Sequence, residues 1–263
     1  MASGSRKNPN IIASPKVGSY PPALPTPASI DSEWSNRFYL PRRELGDFYI
    51  SRFLEDVHCT HWLYSIETFL YRVDNTYAGT TPTPSNSWMC SLYAIFAIGA
   101  ANYEQPNGQS PLPPGSPAAS DDRASADYIT LAKQLIPIVY DEADLDSIRA
   151  LAIMVSSSIQ FVPQTNAGQS IAMENLMSRT SSYLYMGASI QMAYSLGLHR
   201  DQAPDSASSL EREQNRRIWW TLFTLDQDIA SRGGSPTLID ERHLKISTPL
   251  PSEQASVEMI RHI

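Results

Sequence analysis

The stretch from Ser181 to Pro251 constrains the fold most strongly, because it has the pattern of two long helices joined by a short polar loop. Apolar and aromatic residues in and just before its first part recur at steps of three and four, the spacing that gives a helix one buried face. The predicted core positions are Ile171, Leu184, Tyr185, Met186, Ala188, Met192 and Leu196. The pattern predicts a helix over roughly residues 172–197, which Gly197 can close because glycine adopts a left-handed backbone at little cost.

A second helix is predicted to begin near Ser208 or Ser209, with acidic residues in its first turn, where they favour the helix dipole. Its apolar positions are Ile218, Trp219, Leu222, Phe223, Leu225 and Ile229. The Gly-Gly-Ser-Pro sequence from Gly233 to Pro236 is predicted to end it, since glycine and proline interrupt a helix. The two segments together predict a packed helical pair.

Asp226 interrupts the apolar pattern of the second helix, since it lies four residues after Leu222 and seven after Trp219. An unpaired buried carboxylate costs on the order of several kcal/mol, so a partner is expected. The candidate partners are Arg200, Arg216, Arg217 and Arg232. We expect a structural ion pair that ties the two helices together. Acid–base catalysis is the alternative, but the spacing places no second carboxylate or histidine beside Asp226.

Three sequence segments occur in this region in a fixed order. They are Met186–Asp201 (MGASIQMAYSLGLHRD), Glu213–Gln227 (EQNRRIWWTLFTLDQ) and the tail GGSPTLID that precedes PLP. Upstream segments at Asp47–Leu70 and Ser91–Ala101 match the same pattern. Together they resemble the regulatory domain of fungal binuclear zinc-cluster transcription factors, known as the fungal-specific transcription factor domain. The resemblance covers about Arg43 to Pro251.

The resemblance implies an all-helical, regulatory and non-catalytic domain that acts in RNA polymerase II transcription control in the nucleus, through partner proteins or an effector. It implies no catalytic, cofactor-binding or metal-binding residue. The residues expected to be structurally decisive are Gly197, Leu198, His199, Arg200, Asp201, Arg217, Trp219, Trp220 and Asp226. This chain differs from the family at one position of the tail. The family typically has an arginine between the glycine and the proline, where this chain has Ser235.

Composition argues against direct DNA binding by this chain. Its formal net charge is −7 and it has no run of Lys or Arg, whereas duplex binding draws on cations that neutralise phosphates. The zinc cluster of the family needs six cysteines, and this chain has two, Cys59 and Cys90. Such scarce cysteine favours a reducing compartment. The longest apolar run, Trp88–Ala101, is too short to span a bilayer, so we expect a soluble intracellular protein.

The remainder of the chain predicts an all-α fold, an irregular bundle of about seven helices. Residues 1–35 are rich in Pro and Ser and are expected to form a disordered tail, followed by one helical domain over residues 36–263. The earlier helices are predicted at Arg43–Val57, Tyr64–Val73, Trp88–Tyr103, Asp121–Val139 and Leu145–Phe161. Small residues in the third of these predict that neighbouring helices approach it closely. The chain is expected to be truncated, because Ser252–Ile263 has the pattern of a further helix.

Three residue clusters have alternative interpretations. Glu55, His58 and His61 have the spacing of metal ligands, but packing of both histidines against Trp62 at a helix end is the preferred interpretation. The acidic run from Asp141 to Asp146 suggests a calcium loop, but helix capping explains it better. A third set could line a ligand pocket, although core packing is more common. It comprises Met173, Met177, Met186, Met192, Tyr183, Tyr185 and Tyr194.

Two classes of function therefore compete. One is an interaction module whose partners are other transcription factors or co-regulators, forming a homodimer or a heterodimer, without direct DNA contact and without a membrane. The other is a helical module that senses a small molecule. A truncated gene product is a further alternative, and no cofactor is expected in any of these cases.

Overall fold

The computed structural model describes residues 39–79, 84–101, 125–160, 179–200 and 209–240, which form seven α-helices and no β-strand. The helices are α1 Arg43–Phe53, α2 Ile66–Ala78, α3 Asn86–Ala101, α4 Ser125–Glu142, α5 Leu145–Gln160, α6 Arg179–Ser195 and α7 Ser209–Gly233. A π-helical turn, Leu54–His58, continues α1. The predicted all-α fold of about seven helices is confirmed. The predicted tail at 1–35 and helix at 252–263 lie outside the described residues.

Helix α3 forms the centre of the bundle. Every residue from Ser87 to Ala101 is buried, and α1, α4 and α5 all pack against it. A helix that is apolar on all sides is stable only when neighbours cover it all round, because its burial supplies the main driving force for folding. Helix α5 extends the bundle, since it contacts α3 on one side and α6 and α7 on the other. The predicted central position of α3 is confirmed.

Gly99 of α3 allows the backbone of α1 to approach very closely. A β-carbon at this position would lie 2.5 Å from the Cα atom of Tyr49 and 2.6 Å from its carbonyl oxygen. These atoms belong to the main chain of α1, so they cannot move aside by a change of rotamer. The interpretation that small residues permit close helix packing is therefore confirmed at this contact.

Gly99→Ala is expected to lower the free energy of unfolding by about 1–3 kcal/mol, because the new methyl group would overpack the contact between α1 and α3. Gly187→Ala is the matched control, since its β-carbon would meet only Leu238 Cδ1, at 3.8 Å. That change should be neutral or stabilising by up to about 1 kcal/mol, because alanine favours a helix. Urea unfolding of both variants measures the difference, and equal stabilities would contradict the close contact.

The acidic run caps two helices. Glu142, at the end of α4, accepts the backbone N–H groups of Asn86 and Ser87 at 3.0 and 2.8 Å, so it caps the N-terminus of α3. Burial disfavours its charge, but these bonds and the Ser87 hydroxyl outweigh burial and hold the pKa of Glu142 below its usual value. Asp144 accepts the Ser147 N–H at 2.8 Å and caps α5. The predicted capping role is confirmed for Glu142 and Asp144, whereas Asp146 pairs with Arg72 and Arg149.

The predicted buried face of α6 is wrong except at Met186, which is fully buried. Leu184 and Leu196 are 64% and 47% exposed, and Tyr185, Ala188 and Met192 are half-buried. The residues that α6 buries are Ser182, Met186, Ser189, Ile190 and Ala193. The reason is that α6 carries no charged residue after Arg179, so its apolar residues surround the helix and do not single out one face. Ile171 lies outside the described residues.

Three predicted helix boundaries also differ from the structure. Helix α2 begins two residues later than predicted and continues to Ala78, which shortens the loop expected at Tyr77–Ser87. Helix α3 begins at Asn86, where Glu142 satisfies its first amides. Helix α4 includes Pro137 and ends at Glu142, three residues after the predicted end at Val139. At α3 a cap from a distant residue adds two residues to the predicted helix.

Candidate functional site

Helices α6 and α7 meet through three aromatic rings. The ring of Trp219, fully buried on α7, lies 5.2 Å from the ring of Tyr194 and 5.9 Å from that of His199, measured between centroids. The rings of Tyr194 and His199 are 4.9 Å apart, so all three contact one another. Such edge-on aromatic contacts add to the free energy of burial. The prediction that the helix ending in the His-Arg sequence packs against the tryptophan-bearing helix is confirmed.

The turn that ends α6 positions His199 for this contact. Gly197 has a φ of +77°, and the Leu198 N–H donates to the Ala193 carbonyl at 2.9 Å while the Gly197 N–H donates to Tyr194 at 3.1 Å. These two bonds are those of a glycine-closed helix end. Leu198 is buried, and exposed Arg200 donates its Nε–H to His199 Nε2 at 3.0 Å. Asp201 lies outside the described residues.

Trp219→Ala is expected to lower the free energy of unfolding by about 3–5 kcal/mol, because it removes the largest side chain between α6 and α7. Leu210→Ala on the same helix is the control; Leu210 is 66% exposed, and the change should stay within about 0.5 kcal/mol. Denaturant unfolding measures both values. A Trp219→Ala variant that melts within a degree of the parent would contradict the packing.

Asp226 holds the tail of the domain, and the expected ion pair is wrong. Its buried carboxylate accepts the N–H of Leu238 at 2.9 Å and that of Ile239 at 2.8 Å. Burial raises the pKa of Asp226, and the two amides partly oppose that shift. Among the candidate arginines, Arg216 and Arg217 bind Glu213 instead. The two amides of the tail hold the carboxylate where an arginine was expected.

The tail runs beside α6. Gly234, with a φ of +63°, turns the chain back after α7, and the Pro236 carbonyl accepts the Tyr183 hydroxyl at 3.0 Å. Ile239 is buried, and Leu238 lies opposite Gly187 of α6. The predicted end of α7 at the Gly-Gly-Ser-Pro sequence is confirmed. Asp226 therefore joins the tail to α7, and the tail contacts α6 through Pro236 and Leu238.

Two substitutions of Asp226 distinguish the effect of its charge on stability from the effect of its hydrogen bonds. Asp226→Leu should lower the free energy of unfolding by about 2–4 kcal/mol, because it leaves two amides near the core without a partner. Asp226→Asn should cost less than about 1 kcal/mol, because the amide oxygen still accepts while the buried charge is removed. Thermal and urea unfolding measure both. Equal losses in the two variants would contradict the acceptor role.

The linker of residues 59–65 connects three other parts of the bundle. Its carbonyl groups at Trp62, Leu63 and Tyr64 each contact a side chain from a different element. The donors are the Thr221 hydroxyl of α7 at 2.7 Å, Arg149 Nε of α5 at 3.0 Å and His58 Nε2 at 2.9 Å. Arg217 also lies over the Trp62 ring, 5.4 Å from its centroid. Arg217 and α7 thus fix the linker, a role that the sequence did not predict.

A half-buried ion-pair cluster includes Arg149, which also binds the linker. Asp146 of α5 contacts Arg72 of α2 and Arg149, the latter at 3.0 Å. Burial disfavours the charge of Asp146, but the two arginines outweigh it and hold its pKa below the usual value. The guanidinium groups lie over aromatic rings, Arg72 over Trp88 and Arg149 over Tyr64. Every charge in the cluster therefore has a structural partner.

The two histidines of the candidate metal site have structural positions. His58 pairs with the Tyr64 carbonyl and lies 6.4 Å from the Trp62 ring, as the packing interpretation predicted. His61 is buried, with Nε2 3.7 Å from Asp228 Oδ2. Burial lowers the pKa of both histidines, so the neutral form is favoured. In the described part of the chain no three His, Cys, Asp or Glu side chains are grouped to hold a metal ion.

Comparison with known proteins places this helical arrangement in a family. The model of the fungal specific transcription factor domain matches residues 50–262, which include all the contacts described between α6, α7 and the linker. The chain belongs to this family. The family and the relatives it matches are transcription regulators, not enzymes. No solved structure matches the chain.

Curated relatives of the domain are fungal regulators of greater length. An uncharacterised transcriptional regulatory protein of Schizosaccharomyces pombe is 23% identical over 221 residues, 83% of this chain and 25% of the relative. An ABC-transporter-regulating transcription factor of Aspergillus fumigatus is 24% identical over 211 residues, covering 80% and 21%. The lactose regulatory protein of Kluyveromyces lactis is 25% identical over 221 residues, covering 84% and 21%. The chain spans a quarter or less of these relatives.

The residues that the sequence marked as structurally decisive have different roles in the structure. Gly197, Leu198, His199 and Trp219 form the contact between α6 and α7, and Asp226 holds the tail. Trp220 is half-buried and packs its ring against Phe223, 5.5 Å away.

No helix in the described part of the chain is long and apolar enough to cross a bilayer.

Proposed function

We propose that this domain regulates transcription in the nucleus by contacting partner proteins, other transcription factors or co-regulators, and not by contacting DNA itself. The observation that carries the proposal is membership of the fungal specific transcription factor domain family over residues 50–262. The domain would supply the regulatory part of a transcription regulator of the zinc-cluster type, acting on RNA polymerase II transcription.

Charge and composition support a role without DNA contact. The formal net charge of −7 repels a phosphate backbone, and two cysteines cannot form the six-cysteine zinc cluster. The paired arginines of α7, Arg216 and Arg217, both bind Glu213, which offsets one of their two positive charges within the domain. These features support the proposal that this chain does not itself contact target DNA.

The proposal includes no enzymatic activity. The carboxylates with displaced pKa values, which in an enzyme often mark a reaction centre, have structural tasks here. Glu142 caps α3, Asp146 pairs with Arg72 and Arg149, and Asp226 holds the tail. Each is occupied by donors of the domain itself, which supports a regulatory scaffold.

Tethering tests the proposal. The chain, fused to an unrelated DNA-binding domain in yeast, should change expression of a reporter with matching sites by about fivefold or more, in either direction, since recruitment of co-regulators lowers or raises transcription. The DNA-binding domain alone is the baseline. A fusion with Trp219→Ala should lose the effect because its helix pair is destabilised. A nuclear, folded fusion that leaves the reporter unchanged would contradict the proposal.

A small-molecule sensor is the second candidate, which one cleft favours. Between α1 and α2 lies a cleft of about 200 Å³ with apolar walls at Ile50, Leu54 and Leu70. Arg43, bound to Asp47 at 2.7 Å and to Asp74 at 2.6 Å, forms its polar rim. Apolar walls with a few polar groups are typical of effector sites. A rise in the melting temperature when a ligand is added would distinguish this function from partner binding. The reporter assay does not detect ligand binding.

A further inference from the structure

His61 is a buried histidine whose ring makes no hydrogen bond within the described part of the chain. Its side chain is 2% exposed, and both Nδ1 and Nε2 lack a partner. The carboxylate oxygen that comes closest, Asp228 Oδ2 of α7, is 3.7 Å from Nε2, beyond the range of a hydrogen bond. A buried polar group without a partner costs free energy, so the fold keeps this ring inside at a cost in stability.

The main chain around His61 connects the ring to helix α7. The N–H groups of Thr60 and His61 both donate to the Val57 carbonyl, at 3.0 and 2.9 Å, and join the start of the linker to the π-helical turn. The next carbonyl of the linker, that of Trp62, accepts the Thr221 hydroxyl of α7 at 2.7 Å. A movement that brings the ring of His61 to solvent therefore strains the contact between the linker and α7.

His58 differs from His61 in the effect that a proton has on it. Its Nε2 lies 2.9 Å from the Tyr64 carbonyl, which accepts from an Nε2–H group in the neutral and in the charged form alike. Protonation of His58 therefore preserves this bond. Protonation of His61 places an N–H group on each of its two nitrogens, and neither nitrogen has an acceptor within hydrogen-bond distance. A charged His61 is thus a buried cation without a hydrogen-bonded partner.

Two charged groups in the described part of the chain act on the ring of His61, and both belong to α7. Burial has the largest effect and lowers the pKa of His61; Asp228 opposes this shift, and Arg232 adds to it. Asp228 is 45% exposed, so solvent screens its attraction for the ring. The cations that reach neighbouring residues of the linker are Arg149, at the Leu63 carbonyl, and Arg217, over the Trp62 ring.

We propose that His61 is an acid-sensing residue, whose protonation weakens the contact between the linker of residues 59–65 and helix α7. A charged ring without an acceptor in the interior is stable only where it reaches water, so it moves outwards and draws the linker away from α7. Loss of the proton restores the contact. The inference goes beyond the proposed role in transcription and does not depend on it.

The pH dependence of this device has a defined direction. Because burial lowers the pKa of His61 below its ordinary value of 6.5, the unfolded chain binds more protons than the folded chain in this range. The unfolding constant therefore rises as the pH falls below about 6.5, by up to about tenfold for each pH unit, until the folded pKa is reached. At higher pH this ring contributes no pH dependence.

Urea unfolding between about pH 5 and about pH 7.5 tests the role of His61. Towards pH 5 the unfolding constant should rise less steeply in His61→Phe and in His61→Leu than in the parent, by up to about tenfold for each pH unit. At pH 7.5 His61→Phe should stay within about threefold of the parent, because the ring has no hydrogen bond to lose. His58→Phe is the matched control and should be less stable at pH 7.5 by about fivefold, because it loses the bond to Tyr64.

Two charge variants on α7 test the same ring without a change in the core. Asp228→Asn removes the carboxylate that favours protonation and should lower the pKa of His61, whereas Arg232→Gln should raise it. The imidazole Cε1–H signal of His61 in NMR spectra reports each pKa directly. The signal is identified by its absence from the spectrum of His61→Phe.

Hydrogen exchange followed by mass spectrometry locates the change within the domain. On a shift from about pH 7.5 to about pH 5.5, peptides from residues 59–65 and 217–232 should lose about fivefold more protection than peptides from α3, after correction for the intrinsic exchange rate. In His61→Phe this difference should disappear. The measurement therefore separates release of one contact from unfolding of the whole domain.

Three results would overturn the proposal. A His61 signal that titrates at or above pH 6.5 in the folded chain shows that the interior does not keep the ring neutral. An acid sensitivity that is unchanged in His61→Phe and His61→Leu belongs to other groups. An equal loss of protection in α3 and in the linker shows that acid unfolds the domain as a whole.

Discussion

Burial of α3 on all sides is the constraint on which the rest of the fold depends. An apolar helix of this kind can be stable only if neighbours cover each side and if the amides at its start find acceptors. Gly99 allows α1 to cover one side at backbone distance, and Glu142 of α4 satisfies the first amides. The positions of α1, α4 and α5 follow from these requirements.

The second half of the domain is attached to this centre through α5 and the linker of residues 59–65. Arg149 and Thr221 each bind a linker carbonyl, so α5 and α7 are held to the same short segment. On the far side of α7, Asp226 uses its carboxylate to anchor the tail. Polar groups thus connect the elements, whereas apolar packing supplies most of the stability.

Prediction from the sequence was most accurate where local signals agree. Helix positions, the end of α6 at Gly197 and the buried character of α3 all follow from periodicity and from glycine chemistry within a few residues. It failed for the buried face of α6, because a helix without charged residues has no preferred polar side. It also failed for the partner of Asp226, because main-chain amides can satisfy a carboxylate as well as an arginine does.

The sequence alone determined the fold class and the family resemblance, because periodicity and motif order are properties of the chain itself. The tertiary structure decided which residues satisfy the buried polar groups. Glu142 reaches α3 across 55 residues and Thr221 reaches Trp62 across 159. Contacts between residues so far apart leave no local pattern, since they form only when the helices have packed.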